Sequence, residues 1–229
     1  MGYQLLACDN QADLAKKAVN LLIEKFEIQK IKTLLISGGS SLFGIYNQLI
    51  STEVNLDNLS LILSDERLSR NYVKDANHYM IKEKLISKYS NDKKPTLIYP
   101  DISLTLDKKE IAMQYIKDMA NHPNHSLLGV GEDGHIASIF SNNIFDESKE
   151  YAPFIFVKKK EELFERISFN FNFLKGIKSK IFIVEGKKKK NILEKLLNKQ
   201  TNDENIPFFR LINSLDDECD IIYNKEILN

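Results

Sequence analysis

Short apolar runs alternate along this chain with longer stretches in which apolar residues recur every three or four positions. The short runs predict strands and the periodic stretches predict helices. Residues 10–29 place Leu14, Ala18, Leu21, Leu22 and Phe26 on one helical face, behind a cap candidate at Asp9-Asn10. Residues 33–36 read as an apolar strand, 40–50 as a helix, 59–63 as a strand and 75–89 as a helix. Residues 96–99 form a strand bounded by Pro95 and Pro100, followed by a helix over 107–121. Strands over 126–130 and 180–184 follow, then a helix over 187–197 with Ile192, Leu193, Leu196 and Leu197 on one side. Residues 151–173 are aromatic and β-prone and predict a strand pair, with Phe154, Phe156, Phe169, Phe171 and Phe173 at period-2 spacing in the core. Apolar strands separated by helices predict an α/β fold, a mostly parallel sheet covered by helices on both faces. One domain over residues 1–229 is expected, with a small β-containing subregion after residue 140.

Composition narrows the partners. The chain has 229 residues, enough to bury about 70% of the surface its unfolded form would expose. Lys+Arg is 32 and Asp+Glu is 32, which argues against nucleic acid or an anionic membrane as partner. Cys8 and Cys219 stand alone and make neither a disulfide framework nor a zinc signature; they read as small buried hydrophobes. The N-terminus lacks a basic region ahead of an apolar stretch, and Gly2 is not followed by a myristoylation pattern. No uncharged apolar run approaches the ~18 residues of a membrane span. The expectation is a soluble cytoplasmic protein, monomeric or a weak homodimer.

The nine glycines are few and clustered: Gly38, Gly39 and Gly44 in one region, Gly129, Gly131 and Gly134 in another. The first cluster, Ser37-Gly38-Gly39-Ser40-Ser41, runs from a strand into a helix. Backbone N–H groups and the helix N-terminus there can receive a phosphate, with the serine hydroxyls as further donors. The same segment also suits a plain strand-to-helix turn with a serine cap. It is neither a P-loop nor a G-x-G-x-x-G fingerprint.

Ser64-Asp65-Glu66-Arg67 puts polar groups at the end of the next apolar strand. Arginine is rare here, confined to Arg67, Arg70, Arg166 and Arg210. Keeping it at a strand end suits the planar recognition of a phosphate or carboxylate; a surface salt bridge is the simpler alternative. Gly129-Val130-Gly131-Glu132-Asp133-Gly134-His135-Ile136-Ala137-Ser138-Ile139-Phe140 says most. Three glycines let the backbone approach a ligand closely. His135 follows the strand end, and its residue type suits general-base work near neutral pH. Asp133 or Glu132 can fix its tautomer. His78, His122 and His125 have no such setting and read as structural or surface residues. No second histidine lies at ligand spacing, so no metal site is expected.

Together these segments resemble the 6-phosphogluconolactonase family, related in fold to glucosamine-6-phosphate deaminase. The resemblance rests on Ser37-Gly38-Gly39-Ser40, on Asp65-Glu66-Arg67 with Asn77 ten residues on, and on Gly129-x-Gly131-x-Asp133-Gly134-His135-x-Ala137-Ser138-x-Phe140. Arg166-Ile167-Ser168 and Gly186-x-x-Lys189 complete it, and order and spacing match from about residue 5 to 225. Arg67 stands where deaminases have tyrosine, and Ala137-Ser138-Ile139-Phe140 where they have Phe-Asn-Glu-Pro; both favour the lactonase. The chain departs from the family at Ser41-Leu42, Ile136 and Ser141-Asn142. It also has Val157-Lys-Lys-Lys-Glu-Glu-Leu in place of a proline-containing segment before Arg166, which bears on the substrate rim.

The resemblance implies hydrolysis of 6-phospho-D-glucono-1,5-lactone in the oxidative pentose phosphate pathway, with no metal or organic cofactor. His135 would be general base and then acid, oriented by Asp133. Ser37, Gly38, Gly39, Ser40, Ser41, Asp65, Arg67, Gly131, Gly134, Arg166 and Lys189 would bind substrate. Of the lysine run 187–190, only Lys189 gains a role this way; the rest reads as a solvated helix start. An amino-sugar phosphate deaminase or isomerase, and a non-catalytic sugar-phosphate sensor, are the competing readings. A sensor of this kind usually carries a DNA-binding segment, for which this chain has neither room nor a basic patch.

Overall fold

The structure is a computed structural model. It describes residues 2–69 except 29, 73–102 except 91, 107–142 except 120, 151–216 except 161 and 163, and 219–229. Arg70, the helix end expected at Gln29, and Ala120 within the helix expected over 107–121 lie outside the described residues.

In chain order the elements are β1 (Tyr3–Cys8), α1 (Gln11–Ile28), β2 (Thr33–Ile36), α2 (Phe43–Ser51), β3 (Ser60–Leu63), β4 (Asp65–Arg67), α3 (Asn77–Lys84), β5 (Thr96–Ile98) and α4 (Lys108–Asp118). Then come β6 (His125–Gly129), β7 (Phe154–Lys158), β8 (Glu165–Phe169), α5 (Phe171–Gly176), β9 (Ser179–Val184), α6 (Lys190–Leu197), α7 (Pro207–Asn213) and β10 (Cys219–Asn224). Seven strands form one parallel sheet in the order β1-β10-β9-β6-β2-β3-β5, and three form a second sheet, β4-β8-β7, which is antiparallel.

Side chains alternate across the large sheet, so each strand feeds two cores. Leu34, Ile36, Leu61, Leu63, Ile181 and Ile183 pack with Leu14, Ala18 and Leu22 of α1, Ile45 and Leu49 of α2 and Ile81 of α3. Leu35, Ile62, Leu128, Phe182, Val184 and Ile221 point the other way, onto Ile111 and Tyr115 of α4, Leu193 of α6 and Phe208 and Phe209 of α7. This is the expected α/β arrangement with helices on both faces. The amphipathic face read over 10–29 is the buried face of α1, and α4 starts on a capping box in which Asp107 and Glu110 satisfy each other's backbone N–H.

The structure corrects four details. The edge pair β1 and β10 and the helix α7 were not read from the pattern. The predicted helices at 40–50, 75–89 and 187–197 begin or end in 3₁₀ turns at Ser40–Leu42, Val73–Asp75, Ile86–Lys88 and Lys187–Lys189. The strand pair in 151–173 exists as β7 and β8, but it stops at Phe169: Asn170 caps α5 by accepting from the Phe173 N–H at 2.9 Å. Phe171 and Phe173 are therefore core residues of a helix, and Phe156 is only half-buried. Asp65-Glu66-Arg67, expected only as polar groups at the end of β3, is itself a strand that leaves the main sheet to pair with β8.

Candidate active site

One open cavity of about 160 Å³ lies over the carboxyl ends of the central strands, where the β2–β6 junction divides the sheet order. Parallel sheets place ligands at such points, because the chain diverges there and leaves a crevice. Each wall comes from one strand end. β2 delivers Ser37 to Ser41, β4 delivers Asp65 and Arg67, β6 delivers Gly131 and His135, β8 delivers Arg166, and the turn after β9 delivers Lys189. Asn77, Val130 and Ala137 also line it.

The glycine turn after β2 is shaped by its neighbours. Gly39 has φ +101°, a conformation side chains rarely adopt. A Cβ on Gly38 would meet Asn77 Oδ1 at 2.3 Å, so this glycine lets α3 close onto the turn. Two of the three serines expected there as donors also join strands: Ser37 Oγ accepts from the Gly129 N–H at 2.8 Å, and Ser41 Oγ donates to the Glu185 carbonyl at 3.3 Å. Ser40 is exposed at the rim.

The loop after β6 folds tightly on itself. The Gly131 N–H donates to the His135 carbonyl at 2.8 Å and the Gly134 N–H to the Gly131 carbonyl at 3.1 Å. His135 Nδ1 lies 2.5 Å from Asp133 Oδ1, which also accepts the His135 backbone N–H at 3.1 Å. Burial disfavours the Asp133 carboxylate, but the hydrogen bond and charge of His135 outweigh it and hold the carboxyl well below its usual range. An ionised Asp133 can only accept, so Nδ1 carries the proton and Nε2 is left as the basic nitrogen. The imidazole rests on the Phe140 ring, centroids 4.8 Å apart. Asp133 itself does not line the cavity. Gly134 does not either; its φ of +80° and its contact with Ile206 give it a folding reason instead.

Register brings two arginines together: Arg67 of β4 stands directly opposite Arg166 of β8. Like charges opposite each other are unfavourable, and here they are handled unequally. Arg166 is 9% exposed, and Glu162 holds it through Nε–Oε2 at 2.8 Å and Nη2–Oε1 at 2.5 Å. Burial opposes the charge on Arg166, yet Glu162 raises its pKa above the ordinary value and is itself lowered by the pairing. Among the described residues, Arg67 bonds the Asp75 carbonyl, at 2.8 Å from Nη1, and its buried Nε has no partner. Lys189 donates to the Val130 carbonyl, and burial lowers its pKa, while Lys187, Lys188 and Lys190 are exposed as expected. Three cationic groups thus surround one cavity whose one lining acid, Asp65, already accepts from the Ser64 and Ser138 hydroxyls, a setting for an anionic ligand. Among the described residues no group of His, Cys, Asp and Glu could hold a metal ion, and no helix is long and apolar enough to cross a membrane.

The sequence reading left three residues without a role. Glu66 is fully buried, where a surface salt bridge was the simpler expectation; it accepts from the N–H groups of Arg67, Asn77 and His78 and pairs with His78 Nδ1 at 2.9 Å. Glu162 comes from the segment that departs from the family. Ser138 is completely buried and bonded to Asp65 at 2.6 Å. The quoted motifs include Glu66 and Ser138, but nothing in spacing reveals whom a carboxylate eleven residues from its partner will bind.

A parallel sheet with a small antiparallel flap, carrying a histidine-aspartate pair and clustered cations at its strand ends, is the arrangement of an α/β enzyme site suited to an anionic ligand. The sequence model described as glucosamine-6-phosphate isomerases/6-phosphogluconolactonase matches residues 9–218, and the chain belongs to this enzyme family. It is 29% identical over 205 residues to a probable 6-phosphogluconolactonase from Dictyostelium discoideum, covering 85% of this chain and 86% of that one. The solved 6-phosphogluconolactonase from Thermotoga maritima shares the fold, with a TM-score of 0.78 at 21% identity over 97% of this chain and 100% of that one. A monomeric glucosamine-6-phosphate deaminase shares it too, at TM-score 0.76 and 16% identity, covering 98% of both chains.

Proposed function

We propose that this protein hydrolyses 6-phospho-D-glucono-1,5-lactone to 6-phospho-D-gluconate, as a cytoplasmic enzyme of the oxidative pentose phosphate pathway. The observation that carries the reading is the His135–Asp133 pair at 2.5 Å, placed at a cavity ringed by Arg67, Arg166 and Lys189.

His135 Nε2 takes a proton from a water molecule, and the resulting hydroxide attacks the C1 carbonyl of the lactone. The C1–O5 bond then breaks, and the proton held on His135 passes to the departing ring oxygen. General-base help of this kind contributes typically 10²–10⁴-fold. Asp133 keeps the proton on Nδ1 and stabilises the imidazolium that forms between the two steps. The cationic groups bind the 6-phosphate and the developing oxyanion, so that contacts remote from the ester hold its carbonyl against the water. The Ser37–Ser41 turn adds backbone donors. Domain organisation follows the same reading, with one catalytic unit spanning residues 1–229.

The deaminase reading is the weaker one, because Arg67 and Ala137–Phe140 depart from the deaminase pattern. The test is lactone decay, generated in situ and followed against spontaneous hydrolysis, in wild type and His135→Ala. Loss of most of the acceleration in the variant is expected. Ammonia release from glucosamine 6-phosphate, or an undiminished His135→Ala rate, would overturn the proposal.

A further inference from the structure

Asp65 lines the cavity, yet both of its carboxylate oxygens are taken by the protein. Oδ1 accepts from Ser64 Oγ at 2.9 Å, and Oδ2 accepts from Ser138 Oγ at 2.6 Å. Asp65 is 6% exposed and Ser138 is 0% exposed, so this bond is made in a setting where losing it is costly. The Ser138 N–H donates to Ser168 Oγ at 3.2 Å, and Arg166 Nη1 approaches Ser138 Oγ at 3.4 Å. One hydroxyl therefore joins β4, β8 and the loop that carries His135.

That loop needs holding. Ala137, immediately before Ser138, has φ +52°, a strained conformation for a residue with a side chain, which persists only where its surroundings over-determine it. The loop closes through single bridges of Ile136 to Val130 and Ile139. Apolar packing of Ile136 and Ile139 buries the loop, and Ser138 ties it to the flap that carries both arginines, through its hydroxyl to Asp65 of β4 and its N–H to Ser168 of β8.

We infer that Asp65 and Ser138 act as one positioning pair: Asp65 does not bind substrate itself but, through the Ser138 hydroxyl, fixes His135 and Arg166 relative to each other. The inference rests on the lactonase reading for its kinetic arm alone. Ser138→Ala removes one oxygen and keeps the shape of the loop, so the fold survives it; Asp65→Asn removes the charge.

The experiment compares wild type, Ser138→Ala, Asp65→Asn and the double variant, by kcat and KM on the lactone and by the NMR resonances of the His135 imidazole. Each single variant should lose kcat by about 10- to 100-fold, with KM changed less than about threefold. The double variant should be no worse than the poorer single, since groups acting as a unit are non-additive. The imidazole resonances of Ser138→Ala should shift. A wild-type kcat with unmoved resonances in Ser138→Ala overturns the inference. So does a raised KM in Asp65→Asn whose effect multiplies with that of Ser138→Ala, because Asp65 then meets substrate directly. A wild type that does not accelerate lactone decay sinks the functional reading instead, and the resonance shift still decides the pairing.

Discussion

Gly131 lies so close to the His135 imidazole that a Cβ on it would stand 2.0 Å from Nδ1. The ring, as it sits on its Asp133 bond, leaves no room for a methyl group at Gly131. Gly131→Ala should therefore displace the imidazole and lower kcat by about 10²-fold, the scale of a 1 Å misplacement.

Gly134 gives the contrast, three residues away in the same loop. Its Cβ would meet Ile206 Cγ2 at 2.4 Å, and its φ is +80°. Gly134→Ala should cost about 1–3 kcal/mol of stability through strain and overpacking. Thermal melts and kinetics on the two variants settle the matter: a larger Tm loss in Gly131→Ala than in Gly134→Ala would reverse these assignments.

Asp133→Asn keeps the size of the side chain and loses its charge. A neutral amide can donate to Nδ1 as easily as accept from it, so the imidazole is free to carry its proton on the wrong nitrogen. A kcat loss on the order of 10² is expected, with a small change in KM. Stability gives an independent reading. The Asp133 carboxyl is depressed in the folded state, so its contribution is present above the unfolded carboxyl value near 3.9 and is lost as pH falls through the lower folded value. Wild type should thus lose more Tm than Asp133→Asn between pH 5 and the acid limit of folding. Parallel melting curves for the two would show that the aspartate gains nothing from His135.

Glu162 holds the Arg166 guanidinium at the edge of the cavity, where an anion bound to Arg166 would meet its charge. Its two short contacts satisfy one edge of the guanidinium and set a counter-charge against it. In Glu162→Gln the fork loses its counter-charge, leaving Arg166 more available to an anion. KM for the phosphorylated lactone should fall by about two- to fivefold, and inorganic phosphate should inhibit more strongly, on the scale of a partly screened charge pair. An unchanged phosphate inhibition constant would place the anion away from Arg166.

Much of the site was legible because its residues sit in short segments at the ends of obvious strands. Thr33–Ile36, Ser60–Leu63 and Ser179–Val184 are nearly continuous apolar runs, as strands buried on both faces must be. Each ends where the polar residues begin. β1 escaped notice because an edge strand buries little: Gln4, Leu5 and Ala7 are outward or exposed, and Tyr-Gln-Leu-Leu-Ala-Cys has no clean period. Asp65-Glu66-Arg67 was recognised as chemistry but not as a strand, since three polar residues carry no hydrophobic pattern and their pairing with β8 is a tertiary event. The same holds for Glu162. Its neighbourhood in sequence reads as a run of surface charges, and only the position of β8 turns it toward Arg166.

Lys189 offers the sharpest separation of binding from folding. Its ammonium is half-buried beside the Val130 carbonyl, and desolvation lowers its pKa. In the folded state the charged form is thus disfavoured, so stability should rise with pH between the folded value and the ordinary lysine value near 10.4. A charge kept at a cost to folding needs a ligand to justify it. Lys189→Met keeps the apolar stem and removes the charge. Its Tm at pH 7 should equal or exceed that of wild type, and the difference should shrink toward pH 10. KM for the phosphorylated lactone should rise by about tenfold or more, roughly one charge-assisted hydrogen bond to an anion. Measured against unphosphorylated δ-gluconolactone, the same variant should lose little if Lys189 grips the phosphate. Equal losses on both lactones would instead place its ammonium at the carbonyl oxygen.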